Sequence, residues 1–274
     1  MPVSRDASFA PYARKDAVRE GVSLVEALDA FIFDTRSRCA PLTATTYERR
    51  LRPLRALEWP LTSQVCRELI ASQVQQGFAP ATIDTFRGAL MSFVKFCRAE
   101  GYIYDDPTAR LRSPKIEHKP HRYLTPDQIA LLRSHLKPDE RLMFELLQTG
   151  LRAAEVLSLK AEDVDDGLIL VRGKGARWRY VPLPPLAVLP ATGVLVPFSY
   201  RTMRNRIVAL GKRAGIARLH AHLFRHSFAS NGIERTDMLT VQVVGGWASD
   251  QMLRRYAEST LQKAAARKAA RLFE

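Results

Sequence analysis

Three prolines within residues 105–122 divide the chain into two parts. They are Pro107, Pro114 and Pro120, in the stretch DDPTARLRSPKIEHKPHR, where basic residues outnumber acidic ones. Proline lacks an amide hydrogen and disfavours helix at the residue before it, so no long helix or central strand continues through this stretch. The pattern predicts two domains joined by a basic linker over residues 107–121. At 274 residues, the chain is long enough for two hydrophobic cores.

The segment before the prolines has the apolar spacing of a helical bundle. Residues 1–20 mix Pro, Ser and charged side chains, and we predict a flexible tail there. In SLVEALDAFIFDTRS, apolar residues recur every three or four positions, and Ser23 with Glu26 has the spacing of a capping box. We therefore predict an all-helical domain over residues 21–106. Similar helical spacing recurs over residues 43–56 and 62–76 and through ATIDTFRGALMSFVKFCRAEG.

The segment after the prolines combines helices with one hairpin. Residues 168–171 and 178–181 alternate apolar and polar side chains and flank a glycine-rich basic turn, which is typical of two antiparallel strands. Helical patterns precede and follow this hairpin, and they include a short amphipathic helix over residues 258–272. We predict a mixed α/β domain over residues 122–274. The predicted fold class is mainly α with a small antiparallel β-sheet.

The charge of the chain favours a polyanionic partner. There are 42 Lys and Arg residues against 28 Asp and Glu residues, a net charge of +14. The excess is 4 in residues 1–121 and 10 in residues 122–274, so most of it lies in the predicted second domain. Such a field attracts DNA or RNA, and an anionic membrane surface equally well. Composition therefore indicates a phosphate-rich partner without naming it.

The cysteines and the hydropathy exclude several classes of protein. Cys39, Cys66 and Cys97 are widely spaced, form no CxxC pair, and are expected to be reduced packing residues. No apolar run reaches the roughly 18 residues of a membrane span, and the first residues lack a signal-peptide core. We expect a cytoplasmic protein that binds no membrane.

Five short segments of the second domain contain residue types that suit phosphate chemistry. Taken singly, each residue has an ordinary explanation as a surface arginine, a turn lysine or a core aromatic residue. Their occurrence together and in one order is what makes them candidates. The segments are TGLRAAEVLSL with Arg152, GKGARWRYVPL with Lys174, HLFRHSF with His222 and Arg225, GGW with Trp247, and RRYAE with Tyr256.

In this order the segments resemble the tyrosine recombinase family, also called the phage integrases. The family has a TGLR-type helix, a GKG hairpin, an HxxR segment, and a GH or GW segment nine residues before its tyrosine. Here Trp247 and Tyr256 are nine residues apart. The stretch ATIDTFRGALMSFVKFCRAEGYIYDDP is similar to the family's helical core-binding domain, so the resemblance covers nearly the whole chain. It implies a helical core-binding domain followed by a mixed α/β catalytic domain.

The resemblance implies a metal-free reaction without a cofactor, in which a tyrosine bonds covalently to a DNA phosphate. Arg152 and Arg225 are expected to grip the phosphate, because guanidinium stays charged and forms bidentate hydrogen bonds. Tyr256 is the expected nucleophile, Lys174 the expected acid for the departing 5′-oxygen, and His222 an aid to proton movement at the tyrosine.

Several neighbours of these residues have supporting or alternative roles. Trp247 stands where the family more often has histidine, so it can donate a hydrogen bond but cannot titrate. Glu155 is predicted to hold an arginine rather than act as a base, and His226 to orient its helix. A zinc site at the histidines is excluded, because residue 223 is Leu where an HExxH enzyme needs Glu.

Four basic residues are candidates for direct DNA contact. Arg177 and Arg179 lie in the hairpin, and Lys115 and Lys119 lie in the linker. Each has a plain alternative, a solvated turn for the arginines and a simple spacer for the linker lysines. The charge of the chain does not decide between these alternatives.

By resemblance, the chain is expected to recombine double-stranded DNA core sites through a 3′-phosphotyrosine and a Holliday junction. The expected assembly is a monomer in solution and a homotetramer on paired sites, with a directionality factor as a further partner. Phage or mobile-element integration and excision is the first expectation for its role, and chromosome-dimer or plasmid resolution is the second. A type IB topoisomerase and an inactive DNA-binding relative are the alternatives from other classes.

Overall fold

The computed structural model describes residues 21–117, 121–173, 175, 177–185, 188–251, 253–258, 262 and 269. The chain divides into two compact units between residues 118 and 119. Four regions fall wholly or mainly outside the described residues: the predicted tail 1–20, Lys119, Lys174 and most of the predicted helix 258–272.

The described part of the first unit is a bundle of four α-helices. Ser23 and Glu26 form the predicted capping box at the start of the first helix. The helix predicted to run to residue 56 instead changes to a 3-10 helix at Arg52, because Pro53 cannot continue the α-helical hydrogen bonding. The elements are α1 (Leu24–Arg38), α2 (Pro41–Leu51), the 3-10 helix Arg52–Ala56, α3 (Ser63–Gln75) and α4 (Pro80–Ala99).

The core of the first unit lies between α1, α2 and α4. Phe31 and Phe93 meet edge to face at its centre, with ring centroids 5.6 Å apart. Thr108, inside the predicted linker, is buried and donates its amide to Asp106, and Leu111 packs against the same core. The first residues of the predicted linker therefore pack on this unit, and the linker boundaries stay a prediction.

The second unit combines six α-helices with a three-stranded antiparallel sheet among its described residues. The fold class predicted from the sequence is confirmed. The elements are α5 (Pro126–Ser134), the 3-10 helix Pro138–Glu140, α6 (Arg141–Gln148), α7 (Ala153–Ser158), the 3-10 helix Ala161–Asp163, β1 (Val164–Asp165), β2 (Leu168–Arg172), β3 (Trp178–Pro182), α8 (Tyr200–Arg213), α9 (Ala221–Arg235) and α10 (Met238–Gly245).

The sheet has the order β1-β2-β3, and β2 pairs with β3 in the register Leu170 opposite Tyr180. Alternation along β3 buries Val181 and leaves Trp178 and Tyr180 exposed. The sequence predicted β2 and β3 but not β1, whose two residues are too few to show a period.

The second unit has a main hydrophobic core and a smaller, separate one. The smaller cluster contains Ala229, Val241, Trp247, Leu253 and Tyr256. Two of its five members are candidate site residues, so the candidate site is built into packed structure. None of the helices among the described residues is long and apolar enough to cross a membrane.

Candidate active site

Arg152 lies at the start of α7, where a tight turn brings the chain round from α6. Gly150 has φ +81°, and a Cβ there would lie 2.5 Å from the Phe228 ring, so the turn requires glycine. Glu155 accepts the Arg152 amide at Oε2 (2.7 Å) and Arg152 Nη1 at Oε1 (2.8 Å). Arg152 Nη2 donates to the Gly246 carbonyl at 3.3 Å. These bonds hold the guanidinium, and about one-third of the Arg152 side chain remains exposed.

Arg179 extends from β3 into the protein and shares Glu155 with Arg152. Its Nη1 and Nη2 donate to the two Glu155 oxygens at 3.1 and 2.9 Å, and its Nε donates to the Val244 carbonyl at 2.8 Å. Only 7% of its side chain is exposed. The interpretation of Arg179 as a DNA contact is therefore not supported by its geometry, because its hydrogen-bonding groups are directed to buried protein acceptors.

Glu155 is ionised by its partners despite its burial. Burial alone raises the pKa of this carboxyl, but the hydrogen bonds from Arg179 and from the Arg152 amide outweigh burial and lower the pKa below its ordinary value. The predicted role of Glu155 as a partner for an arginine agrees with these contacts, with two arginines in place of one.

Arg225, on α9, is a buried cation with an unused donor. It is 2% exposed, and its Nη1 donates to the Gly150 carbonyl at 2.6 Å. No acceptor among the described residues meets its Nη2. Burial and the positive charge of Arg152 lower its pKa to about 10, so the guanidinium stays charged at neutral pH. A buried donor of this kind is suited to an incoming oxyanion.

Trp247 covers Arg225. The guanidinium carbon lies 3.9 Å from the centroid of the indole, a cation–π contact. A left-handed residue, Gly246 (φ +65°), ends α10 and turns the chain so that the indole lies against Gly245. A Cβ on Gly245 would lie 1.8 Å from the indole ring, which explains the glycine pair before this tryptophan.

Tyr256 lies in the helical segment that follows and is almost completely buried, with 1% exposure. Its hydroxyl is 2.7 Å from Nδ1 of His226. The phenol ring packs edge to face on Trp247 and is tilted against His121, with centroid distances of 6.0 and 4.8 Å. Burial raises the pKa of Tyr256, and the nearby Arg225 charge opposes that rise.

The histidine that contacts the tyrosine differs from the one predicted. His222, to which the sequence assigned proton movement at the tyrosine, is exposed, and its ring lies edge to face with the His226 ring at a centroid distance of 4.4 Å; its role stays a prediction. Burial, together with the charges of His222 and His121, lowers the pKa of His226 to about 3. His226 is therefore a neutral imidazole at neutral pH, and its Nδ1 either accepts from or donates to the Tyr256 hydroxyl, depending on the tautomer. Because α9 turns 100° per residue, positions 222 and 226 share a face but lie one turn apart.

A surface pocket of about 490 Å³ opens beside these groups. Arg152 and Trp247 line one side, and the hairpin residues Gly173, Arg177 and Trp178 line another. Arg177 is exposed, which keeps its predicted DNA contact open, and Lys115 is exposed on the first unit. Within the described ranges, no three His, Cys, Asp or Glu side chains are grouped to hold a metal ion.

Sequence reasoning missed one residue near the tyrosine. His121 stacks on His226 with the ring centroids 4.9 Å apart and the planes at 21°. It lies next to Pro120 in the predicted linker, and no periodic pattern assigns it to the site. The structure thus brings together Arg152, Arg225, Trp247, Tyr256, His222, His226 and Glu155, with Arg179 and His121 as additional neighbours.

Comparison with known proteins gives the family of this arrangement. The sequence model described as "Phage integrase family" matches residues 122–196 and 187–263, which is more than half of the chain. The chain belongs to the phage integrase family, the tyrosine recombinases. The tyrosine recombinase XerC of Pseudomonas savastanoi pv. phaseolicola is 30% identical over 274 aligned positions, covering 86% of this chain and 92% of that protein.

Solved structures of tyrosine recombinases share the fold. A lambda integrase dimer bound to a COC′ core site superposes with a TM-score of 0.70 at 20% identity, covering 86% of this chain and 77% of that one. A lambda integrase tetramer bound to a Holliday junction gives a TM-score of 0.68 at 20% identity, covering 87% and 78%. At this identity, the likeness establishes the recombinase fold and not the partners of this chain.

Proposed function

We propose that this tyrosine recombinase cleaves and rejoins double-stranded DNA through a covalent 3′-phosphotyrosine at Tyr256. The observation that carries the proposal is Nη2 of the buried Arg225, which meets no acceptor in the part of the chain that the structure describes; Trp247 covers this guanidinium, and the Tyr256 ring packs against Trp247. A buried charged donor without an acceptor is unfavourable in the free protein. A scissile phosphate would supply the missing acceptor.

The arginines supply charge where the reaction develops it. Attack on a phosphodiester places negative charge on the non-bridging oxygens, and fixed guanidinium groups stabilise that charge without reorganising. Arg152 and Arg225 are held by carbonyl and carboxylate acceptors, so both keep their positions before DNA arrives. We assign them the binding and orientation of the phosphate.

The tyrosine and its histidine supply the nucleophile. The Tyr256 oxygen attacks phosphorus, its proton passes to Nδ1 of His226, and the bond from phosphorus to the 5′-oxygen breaks. The departing oxygen takes a proton from Lys174 and becomes a 5′-hydroxyl. Because the phosphotyrosine keeps the energy of the phosphodiester, rejoining needs no nucleotide. The negative phosphate also raises the pKa of His226, which favours acceptance of the proton as the substrate enters.

The test uses a DNA duplex with a nick beside the cleavage point, so that cleavage releases a short fragment and traps the adduct. Candidate sites come from DNA that flanks the gene. Wild type is expected to form a complex that survives a denaturing gel in the presence of EDTA, and Tyr256→Phe is expected to form none. Tyr200→Phe, which alters an exposed tyrosine on α8, is the matched control and should resemble wild type.

Two results would contradict the proposal. An adduct with Tyr256→Phe would mean that another residue is the nucleophile. Specific binding of the site by wild type without any adduct would leave a DNA-binding role in place of catalysis.

For the biological role we infer resolution of chromosome dimers or plasmid multimers, supported by the 30% identity to a protein named as a Xer recombinase. Integration of a mobile element is the second candidate, and it is favoured by Trp247 at a position where tyrosine recombinases more often have histidine. A homotetramer on two paired sites is inferred with either role, by analogy with the lambda integrase tetramer on a Holliday junction. Deletion between two directly repeated sites in one plasmid supports resolution, whereas joining only between unlike sites on two DNAs supports integration.

A further inference from the structure

Arg179 links three of the elements that surround the proposed site, α7, α10 and its own strand β3. Its fork binds Glu155, the carboxylate that also holds Arg152 on α7. Its Nε binds the Val244 carbonyl in the last turn of α10, three residues before Trp247. Its own strand, β3, pairs with β2, and in the sequence Lys174 lies between these two strands.

The surroundings of Arg179 leave room for its side chain and little else. A Cβ on Gly173 would lie 3.1 Å from Arg179 Nη1, and a Cβ on Gly246 would lie 3.0 Å from its Cδ and Nε. The side chain therefore passes between two glycines, one in the hairpin and one beside Trp247. A bulkier residue at either position would displace the guanidinium from its three acceptors.

Only arginine makes this set of contacts. The planar fork donates two parallel bonds to one carboxylate, while Nε, on the same rigid plane, remains for a third acceptor. Lysine keeps the charge, but its single ammonium cannot reach two carboxylate oxygens and a carbonyl with the same geometry. At 7% exposure the three bonds are shielded from water, so they fix the position of β3 more firmly than surface contacts do.

Arg152 does not depend on Arg179 for its own contacts. Its amide and Nη1 bind Glu155 directly, and its Nη2 binds the Gly246 carbonyl. What Arg179 adds is the link from Glu155 and α10 to the hairpin.

We propose that Arg179 is a positioning residue that fixes the lysine-bearing hairpin against Arg152 and Trp247, so that the Lys174 ammonium meets the departing 5′-oxygen. The inference rests on the proposed DNA cleavage reaction. It assigns Arg179 no contact with DNA and separates it from Arg177, whose side chain faces solvent.

A change of leaving group tests this role. When the bridging 5′-oxygen is replaced by sulfur, the thiolate leaves without taking a proton, so a misplaced proton donor no longer limits cleavage. The measurement is the single-turnover rate of adduct formation at saturating DNA, with the oxygen and the sulfur substrate, for wild type, Arg179→Lys and Arg179→Gln. The ratio of the two rates is independent of the folded fraction, because unfolding lowers both rates alike.

Arg179→Lys and Arg179→Gln are expected to slow cleavage of the oxygen substrate on the order of tenfold to a hundredfold, the range typical of a group displaced by about 1 Å. On the sulfur substrate both variants should approach the wild-type rate. Lys174→Ala gives the ratio expected when the donor is missing. Arg133→Gln is the matched control, because Arg133 also makes a bidentate bond to a buried carboxylate, Glu145, on other elements of the same unit. It should leave the ratio unchanged.

Equal loss on the two substrates would overturn the proposal, because Arg179 would then act only on phosphate binding through Glu155. An unchanged ratio for Lys174→Ala would also overturn it. Failure of wild type to form any adduct on the oxygen substrate would instead refute the proposed function, so the two failures are distinguishable.

Discussion

Replacing Glu155 by glutamine should destabilise the second unit by about 4 kcal/mol. Four hydrogen bonds converge on the carboxylate, and each oxygen receives one from Arg152 and one from Arg179. Whichever oxygen becomes the amide nitrogen, it faces one donor from each arginine, so two bonds are lost. A bond to a charged group contributes about 1.5–3 kcal/mol. The bond from buried Arg179 should lie near the top of that range, and the one from the partly exposed Arg152 below it.

The assay is urea denaturation at pH 7, followed by tryptophan fluorescence, with the free energy of unfolding compared between wild type and Glu155→Gln. Glu145→Gln is the control, since its partner Arg133 is 38% exposed, and it should lose only about 1 kcal/mol. The Glu155 pKa is lowered in the folded state. Its stabilising effect is therefore complete above the unfolded pKa of about 4.3 and is lost as the pH falls through the folded value.

The gap between wild type and Glu155→Gln should accordingly narrow in acid. A loss below about 1 kcal/mol at pH 7, or a gap that does not depend on pH, would refute the view that two arginines depend on this carboxylate.

Three further outcomes follow from the structure. Gly150→Ala should lose about 2–4 kcal/mol of stability and most cleavage activity, because its Cβ would meet the Phe228 ring and its φ is positive. Gly88→Ala, on a helix with no atom within 4 Å of the added Cβ, is the control and should be neutral or stabilising by up to about 1 kcal/mol. Equal melting temperatures for the two variants would contradict this reasoning. The pKa of His226 is lowered to about 3 in the folded protein, so between about pH 6.5 and pH 3 this side chain is protonated in the unfolded chain but not in the folded one. The free energy of unfolding should therefore fall as the pH drops through that window, by on the order of 1 kcal/mol after allowance for partial exposure. The melting temperatures of wild type and His226→Asn should converge in acid. Burial raises the pKa of the Cys66 thiol to about 11 and that of the Cys97 thiol to about 12. A thiol reagent at pH 7.5 should therefore label only Cys39, which is exposed. Labelling of the native Cys39→Ser variant would show that the core of the first unit opens.

Local patterns predicted the elements where a cap or a period was present. The capping box predicted at Ser23 is formed, and the predicted hairpin strands are in place as β2 and β3. The helix predicted through residue 56 changed type at Pro53, a breaker that the sequence contained. Periodicity thus found the elements, and proline decided where one of them ended.

The arrangement of the site was less accessible from the sequence. Arg179 lies two residues before buried Val181 on β3 and so shares its inward face, but its charge favoured a surface assignment. The assignment of the proton role to His222 rather than His226 failed to foresee the Tyr256 contact, because both residues lie on one helix face and only tertiary packing selects between them. His121 had no local signal, because a ring contact across about 100 residues of chain leaves no periodic trace.

The cluster of arginines also couples folding of the second unit to the binding of an anionic substrate. Arg152, Arg179 and Arg225 place three positive charges around one carboxylate, and two of the three guanidiniums are nearly shut off from solvent. Burial, and after it the positive charge of Arg152, lowers the pKa of Arg225. A phosphate bound beside these guanidiniums would reduce their mutual repulsion, so its binding would also stabilise the folded second unit.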